Sequence, residues 1–233
     1  MASSEFVYRT VRDLANKDAR GFITPDMFNR FAKVAQLKVY SKIISDLSVA
    51  AKAIKTGADP GRNMSLSKGL LQDLAVLSKK SEINVTNGIG AVPDDFYRVI
   101  AISTKGQLSL GRRREKQVEI IYDEEKLDRI LRSNLSAPSH QFPVALISDT
   151  IEVFPENIRK VNLRYYRMPV DPSITAIDRS GDEYISEATD FELSDKYIPD
   201  LVVEIAKLVG VNLKEPEVTA FVRVPSTNVV SPK

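Results

Sequence analysis

The sequence predicts an α+β fold: long N-terminal helices forming a helical bundle, a small, mostly antiparallel β-sheet domain, and a C-terminal helix plus extended tail. Three observations carry that prediction. After Thr24-Pro25 no helix breaker appears before Gly57, and apolar residues recur there at helical spacing. From Val92 to Pro172, runs rich in Val, Ile, Phe and Tyr are closed by Pro93, Pro143, Pro155, Pro169 and Pro172. Proline fixes φ and lacks a backbone donor, so it ends strand pairing. From Ile198 to Val209 a second amphipathic helix runs up to Gly210. The boundaries implied are a helical region at 1–80 with a long helix at about 25–56, a β-rich domain at 81–224 with a helix at about 195–210, and an extended tail at 225–233.

Taken in order, Ser4 to Asn16 reads as a first helix, with Val7, Val11 and Leu14 on one face and a break at Asp18–Gly21. Thr24 suits an N-cap, Pro25 the first helical position, and Asp26 the positive end of the dipole. The helix they open is about 50 Å long at 1.5 Å per residue. One apolar line contains Phe28, Phe31, Ala35, Val39, Ile43, Leu47, Ala50 and Ile54, and a second contains Val34, Leu37 and Ile44. A helix apolar on two sides is covered by two layers, so a neighbouring subunit is expected along Val34, Leu37 and Ile44. Leu66–Leu77 reads as a short helix or turn, Glu82–Thr86 as a short strand, and Asn87-Gly88 as a turn.

Phe96–Thr104 and Gln117–Tyr122 read as strands, and Asp123 as the cap of a short helix through Leu131. Val144–Ser148 and Thr150–Phe154 form a hairpin pattern, and Val161–Arg167 a further alternating strand. Ser173–Asp190 reads as an acidic loop without a clear period. Ser194 or Asp195 starts the last helix, and Val218–Val224 reads as an edge strand.

Composition excludes several functions. The chain has no cysteine and one histidine, His140, which rules out disulfides and Cys- or multi-His metal centres. A net charge of +2 gives no global basic field for sequence-independent DNA binding. No apolar run reaches the ~20 residues of a membrane-spanning helix. MASSEFVYRT lacks the basic and then apolar pattern of a secretory signal.

Candidate chemistry is sparse. Arg112, Arg113, Arg114 and Lys116 are the one dense basic cluster, readable as a phosphate contact or as a salt-bridged hairpin at a subunit boundary. Asn87-Gly-Ile-Gly90 lacks the third glycine and the following helix of a dinucleotide site. Asp94-Asp95, Asp123–Glu125 and Asp182-Glu183 are better explained as turns and caps than as catalytic pairs. Tyr165-Tyr166-Arg167 resembles a base-stacking surface only in part, and packing is the expectation. No catalytic, cofactor or metal site is expected, and the chain is read as a non-enzyme.

Several segments together resemble a known group. RGFITPDMFNRFAKVAQLKVY, PDDFYRVIAI, FPVALISDTIEVFPENI, VNLRYYRMPVDP and ATDFELSDKYIPDLVVEIAKLVGVNLKEPEV resemble segments of tailed-bacteriophage neck proteins, the head–tail connector or ring/adaptor subunits of crAss-like and related podoviruses. The likeness runs from about Gly21 to Val218. It implies a virion structural protein, made in the host cytoplasm and residing in the neck or tail. Such subunits form homo-oligomeric rings, commonly twelvefold, that join the portal to other neck or tail proteins. Genomic DNA passes through the channel without sequence-specific binding, and no membrane is involved. The contact surfaces implied are the Thr24–Thr56 helix, the Arg112–Lys116 hairpin and the C-terminal tail. The alternatives are a nucleic-acid-binding module using Arg112–Lys116, a hydrolase built on a carboxylate pair, or another tail or baseplate subunit.

Overall fold

The computed structural model describes residues 1–19, 23–57, 59–106, 114–179 and 182–213. Its helices are α1 (Ser4–Ala19), α2 (Pro25–Lys55) and α3 (Pro60–Leu74). Then come β1 (Ser78–Thr86), β2 (Ile89–Ala91), β3 (Phe96–Gly106), β4 (Arg114–Ile121), α4 (Glu124–Leu131), β5 (Val144–Ile147), β6 (Thr150–Phe154) and β7 (Lys160–Arg167). The last elements are β8 (Ser173–Arg179), β9 (Asp182–Thr189) and α5 (Ile198–Leu213). They divide into two compact units, Leu77–Met168 and a second made of Met1–Val76 with the chain from Pro169 onward.

Leu77–Met168 is a closed barrel of order β1-β2-β6-β5-β4-β3-β7, with β7 pairing back onto β1. Every pair is antiparallel except β4–β5, which α4 connects as a crossover. Closure removes the open edges on which another strand could pair. The interior is apolar and continuous, with Ile102, Ile151, Val153, Leu163 and Tyr165 fully buried. Asn87 and Gly88 both take positive φ (51° and 79°), the geometry of a two-residue hairpin turn between β1 and β2. Asp123 caps α4 through its carboxylate, which accepts from the Glu125 amide at 3.0 Å. All five prolines lie just outside strands.

The helical unit is organised around α2. Thr24 Oγ1 accepts from the Met27 amide at 3.3 Å, and Gly57 just beyond the helix has φ +75°. Packed against α3, α5 and β8, α2 buries Phe28, Val39, Tyr40 and Ile43. Polar side chains tie the later chain to this helix. Asn29 Nδ2 donates to the Ile174 carbonyl (3.0 Å), and its Oδ1 accepts from the Ile174 amide (2.8 Å), so one side chain pairs with β8 as a strand would. Buried Gln36 donates to the Val170 carbonyl (2.7 Å) and accepts from the Glu192 amide (3.0 Å). Ala2 bridges to Phe191, and the buried Ser4 hydroxyl donates to the Thr189 carbonyl at 2.7 Å.

The structure corrects the sequence reading in four places. The expected helical bundle with a small, mostly antiparallel sheet is replaced, among the described residues, by five helices and a closed seven-stranded barrel. Closure depends on β1 pairing with both β2 and β7, a tertiary event that local pattern does not encode. Ser173–Asp190, read as a loop, is the hairpin β8–β9, with a register shift at Thr175/Ala176 that interrupts its alternation. Gly210 does not stop the last helix, which continues to Leu213. The unit boundaries also fall elsewhere: β8, β9 and α5 are grouped with the N-terminal helices, because Asn29, Gln36 and Ser4 hold the chain there. The expected strand at 218–224 and tail at 225–233 lie outside the described residues.

Candidate functional site

The line Val34, Leu37 and Ile44 is split by the structure. Ile44 is buried in its own unit at 5% exposure, Leu37 is half-buried, and Val34 stands 49% exposed. Much of the second layer that a two-sided helix requires is therefore internal, supplied by α3 and α5. Lys38 pairs with Glu204, and Lys42 with Asp200 at 3.4 Å, on the α5 side. The Lys42–Asp200 pair is solvent-facing and contributes little beside the apolar burial, whereas the Glu204 side chain is largely covered. Glu204 is held below its ordinary carboxylate value: burial pushes it up, but hydrogen bonds from Lys207 and Lys38 outweigh that.

Of the basic cluster, Arg112 and Arg113 lie outside the described residues, and Arg114 is described only as the first backbone position of β4. The Lys116 ammonium donates to the His140 carbonyl at 3.1 Å. Its neighbour Glu115 accepts from Lys80 (3.2 Å), Ser103 (3.3 Å) and Asn162 (3.2 Å) across the outer face of four strands. The Lys80 hydrogen bond is the main reason the Glu115 carboxyl sits below its ordinary value.

Two of the three carboxylate groups are placed by the structure, and the side chains of Asp182 and Glu183 lie outside those described. Asp94 is exposed, whereas Asp95 accepts from Lys79 and from the Tyr165 hydroxyl, both at 2.7 Å. Lys79 and Tyr165 are register partners on β1 and β7, so this trio forms a polar stop at one end of the apolar barrel interior. The Lys79 hydrogen bond lowers the Asp95 carboxyl, with Tyr165 second, while burial followed by Asp95 raises the Tyr165 hydroxyl. Tyr165 is fully buried and Tyr166 is 7% exposed, so neither ring offers an open stacking face. Asp123 is the α4 cap. Among the described residues no group of three or more His, Asp or Glu is placed to hold a metal ion.

The surfaces left unsatisfied are apolar. On the helical unit, no described residue from Ala51 to Gly69 is buried. There and just beside it Val49 (60%), Met64 (53%), Leu66 (49%) and Leu71 (47%) are exposed. The α2–α3 hairpin thus ends in a projecting tip. Sequence reading missed the tip because it began this helix only at Leu66, whereas α3 starts at Pro60. The available signal was the addition of Met64 and Leu66, which gives more apolar positions than one helix face can bury. On the barrel, a cleft of about 350 Å³ beside Phe142, Ile130, Glu119 and Val144 adjoins the connection after α4. Phe142 and Leu135 on that connection are 74% and 97% exposed.

No protein-family model matches the chain, and no curated protein matches it.

Proposed function

We propose that this chain is the repeating subunit of a ring-forming head–tail adaptor in a tailed-phage virion, joining the portal to the tail around the DNA channel. The observation that carries the proposal is the α2–α3 tip, with four exposed apolar side chains in or beside it and no buried residue among those described from 51 to 69. Apolar area of this kind gains about 25 cal/mol per Å² when a neighbour covers it. The barrel supports the same reading, because a sheet without free edges does not add strands from other chains indiscriminately. The segments resembling neck proteins extend over both units. A net charge of +2 suits a subunit that DNA slides past without tight binding.

The test is the particle mass of the purified full chain by light scattering, with negative-stain imaging, alone and with portal rings added. Closed rings, or chains seated on the portal, are expected. A strict monomer at high concentration and with portal present contradicts the proposal. Salt-sensitive DNA binding by that monomer would turn attention to a nucleic-acid-binding module.

A further inference from the structure

We propose that the outer face of β1, β7 and β3 is a contact site for the phosphodiester backbone of a polynucleotide, with Arg98 and Arg164 as its phosphate ligands and Lys80 beside them. The proposal goes beyond the ring reading and does not depend on it. Strand alternation assigns the face. Ile83, Val99, Ile102, Val161, Leu163 and Tyr165 belong to the barrel interior, which turns Lys80, Arg98 and Arg164 outward. All three are exposed.

The register brings them together. Lys80 on β1 stands directly opposite Arg164 on β7, and Arg98 on β3 is opposite Tyr166, the next outward position along β7. The Arg98 charge acts on the Tyr166 hydroxyl, partly offsetting the rise that burial causes. With strands about 4.8 Å apart and same-face residues about 6.8 Å apart, each cation's Cα lies about 5–8 Å from the next. Like charges directly opposite each other weaken a sheet, and here they are only partly neutralised. Lys80 donates to Glu115 at 3.2 Å and Lys160 to Glu82 at 2.7 Å, so both carboxylates are engaged by lysines. Arg98 and Arg164 form no ion pair with another described residue. Two such guanidiniums on rigid strands present the planar fork that pairs with phosphate oxygens.

The shape of the face selects the ligand. A free phosphate is typically held in a concave pocket, whereas cations spread over three strands on the outside of a barrel suit a chain with phosphates in a row. Tyr165 and Tyr166 are buried, so they give bases nothing to stack on, and the contact is to the backbone without base preference. Three contacts are too few for tight binding.

The experiment is fluorescence anisotropy of a labelled duplex DNA, titrated with the full-length chain at several salt concentrations. For three contacts, log K should fall against log salt with a slope of about −2.7, a loss of about 40-fold between about 50 and 200 mM. The double variant Arg98→Gln, Arg164→Gln should cut that slope by about 1.8 and the low-salt affinity by about tenfold. It removes the like charge opposite Lys80, so it should melt no lower than wild type, and a thermal melt separates lost binding from lost folding. An unchanged slope in this variant overturns the site, as does a loss confined to a comparison variant, Arg112→Gln with Arg113→Gln. Wild type that binds inorganic phosphate but no duplex at low salt overturns the backbone assignment. The reading does not use particle mass, so the ring can fail while this site stands, and the reverse.

Discussion

The barrel and the helical unit are held together by opposite means. The barrel is closed by backbone pairing around one apolar interior, with a polar end stop of Lys79, Asp95 and Tyr165 and an outer polar hub at Glu115. Among the described residues the helical unit has a two-stranded sheet, and side chains from Gln36, Asn29 and Ser4 tie it together by reaching backbone groups more than 130 residues away. A closed sheet leaves little for a partner to complete. A unit clamped at one end of a long helix leaves the other end bare. That contrast leaves the exposed apolar side chains of the helical unit around the far end of α2.

The largest expected effect is on the barrel side. Leu163 is fully buried on β7, between β1 and β3. Leu163→Ala should cost about 2–5 kcal/mol, read as faster amide exchange confined to 77–168. An effect spread equally over α2 and α5 would break the separation between the two units.

Gln36→Leu comes next, on the other side. It leaves the Val170 carbonyl and the Glu192 amide without their partner, at about 2–4 kcal/mol, with exchange rising around 169–193 and in α2. Unchanged exchange there would show that apolar packing alone holds the unit.

Tyr165→Phe removes the hydroxyl bond to Asp95 and should cost about 1–2 kcal/mol in the barrel. It also sharpens a pH dependence. The Asp95 carboxyl is held below its ordinary 3.8, first by Lys79 and then by Tyr165. A depressed carboxyl stabilises the fold fully above the unfolded value, and that contribution is lost as pH falls through the lowered one. Acid titration of Asp95→Asn should therefore show a shallower loss of barrel stability below about pH 4 than wild type. Thr24→Ala is the smallest of the four, about 1 kcal/mol through the lost cap on α2, measured by urea unfolding.

What was legible in the sequence was local chemistry. Thr24, Pro25 and Gly57 bound the long helix, Asp123 caps α4, Asn87-Gly88 turns a hairpin, and five prolines punctuate the strands. Each acts within a few residues, so the pattern alone carries it. Closure was not legible, because the first half of β1, Ser78-Lys79-Lys80-Ser81, is polar. Lys79 points to the polar stop rather than to the apolar interior, which erases the alternation expected of a strand. The hairpin β8–β9 was hidden by its charges and by the register shift at Thr175/Ala176. For the candidate surface, the two apolar sides of α2 were visible, but not that its own unit covers part of the second side and leaves part of it open: Ile44 is buried and Val34 exposed.

The most direct test of the account is hydrogen–deuterium exchange of the full chain, compared between a dilute monomeric sample and a concentrated assembled one. Protection gained at 51–71, with barrel amides unchanged, is the predicted result. Protection gained instead around α4 and Phe142 on the barrel, with the α2–α3 tip unchanged, would contradict it.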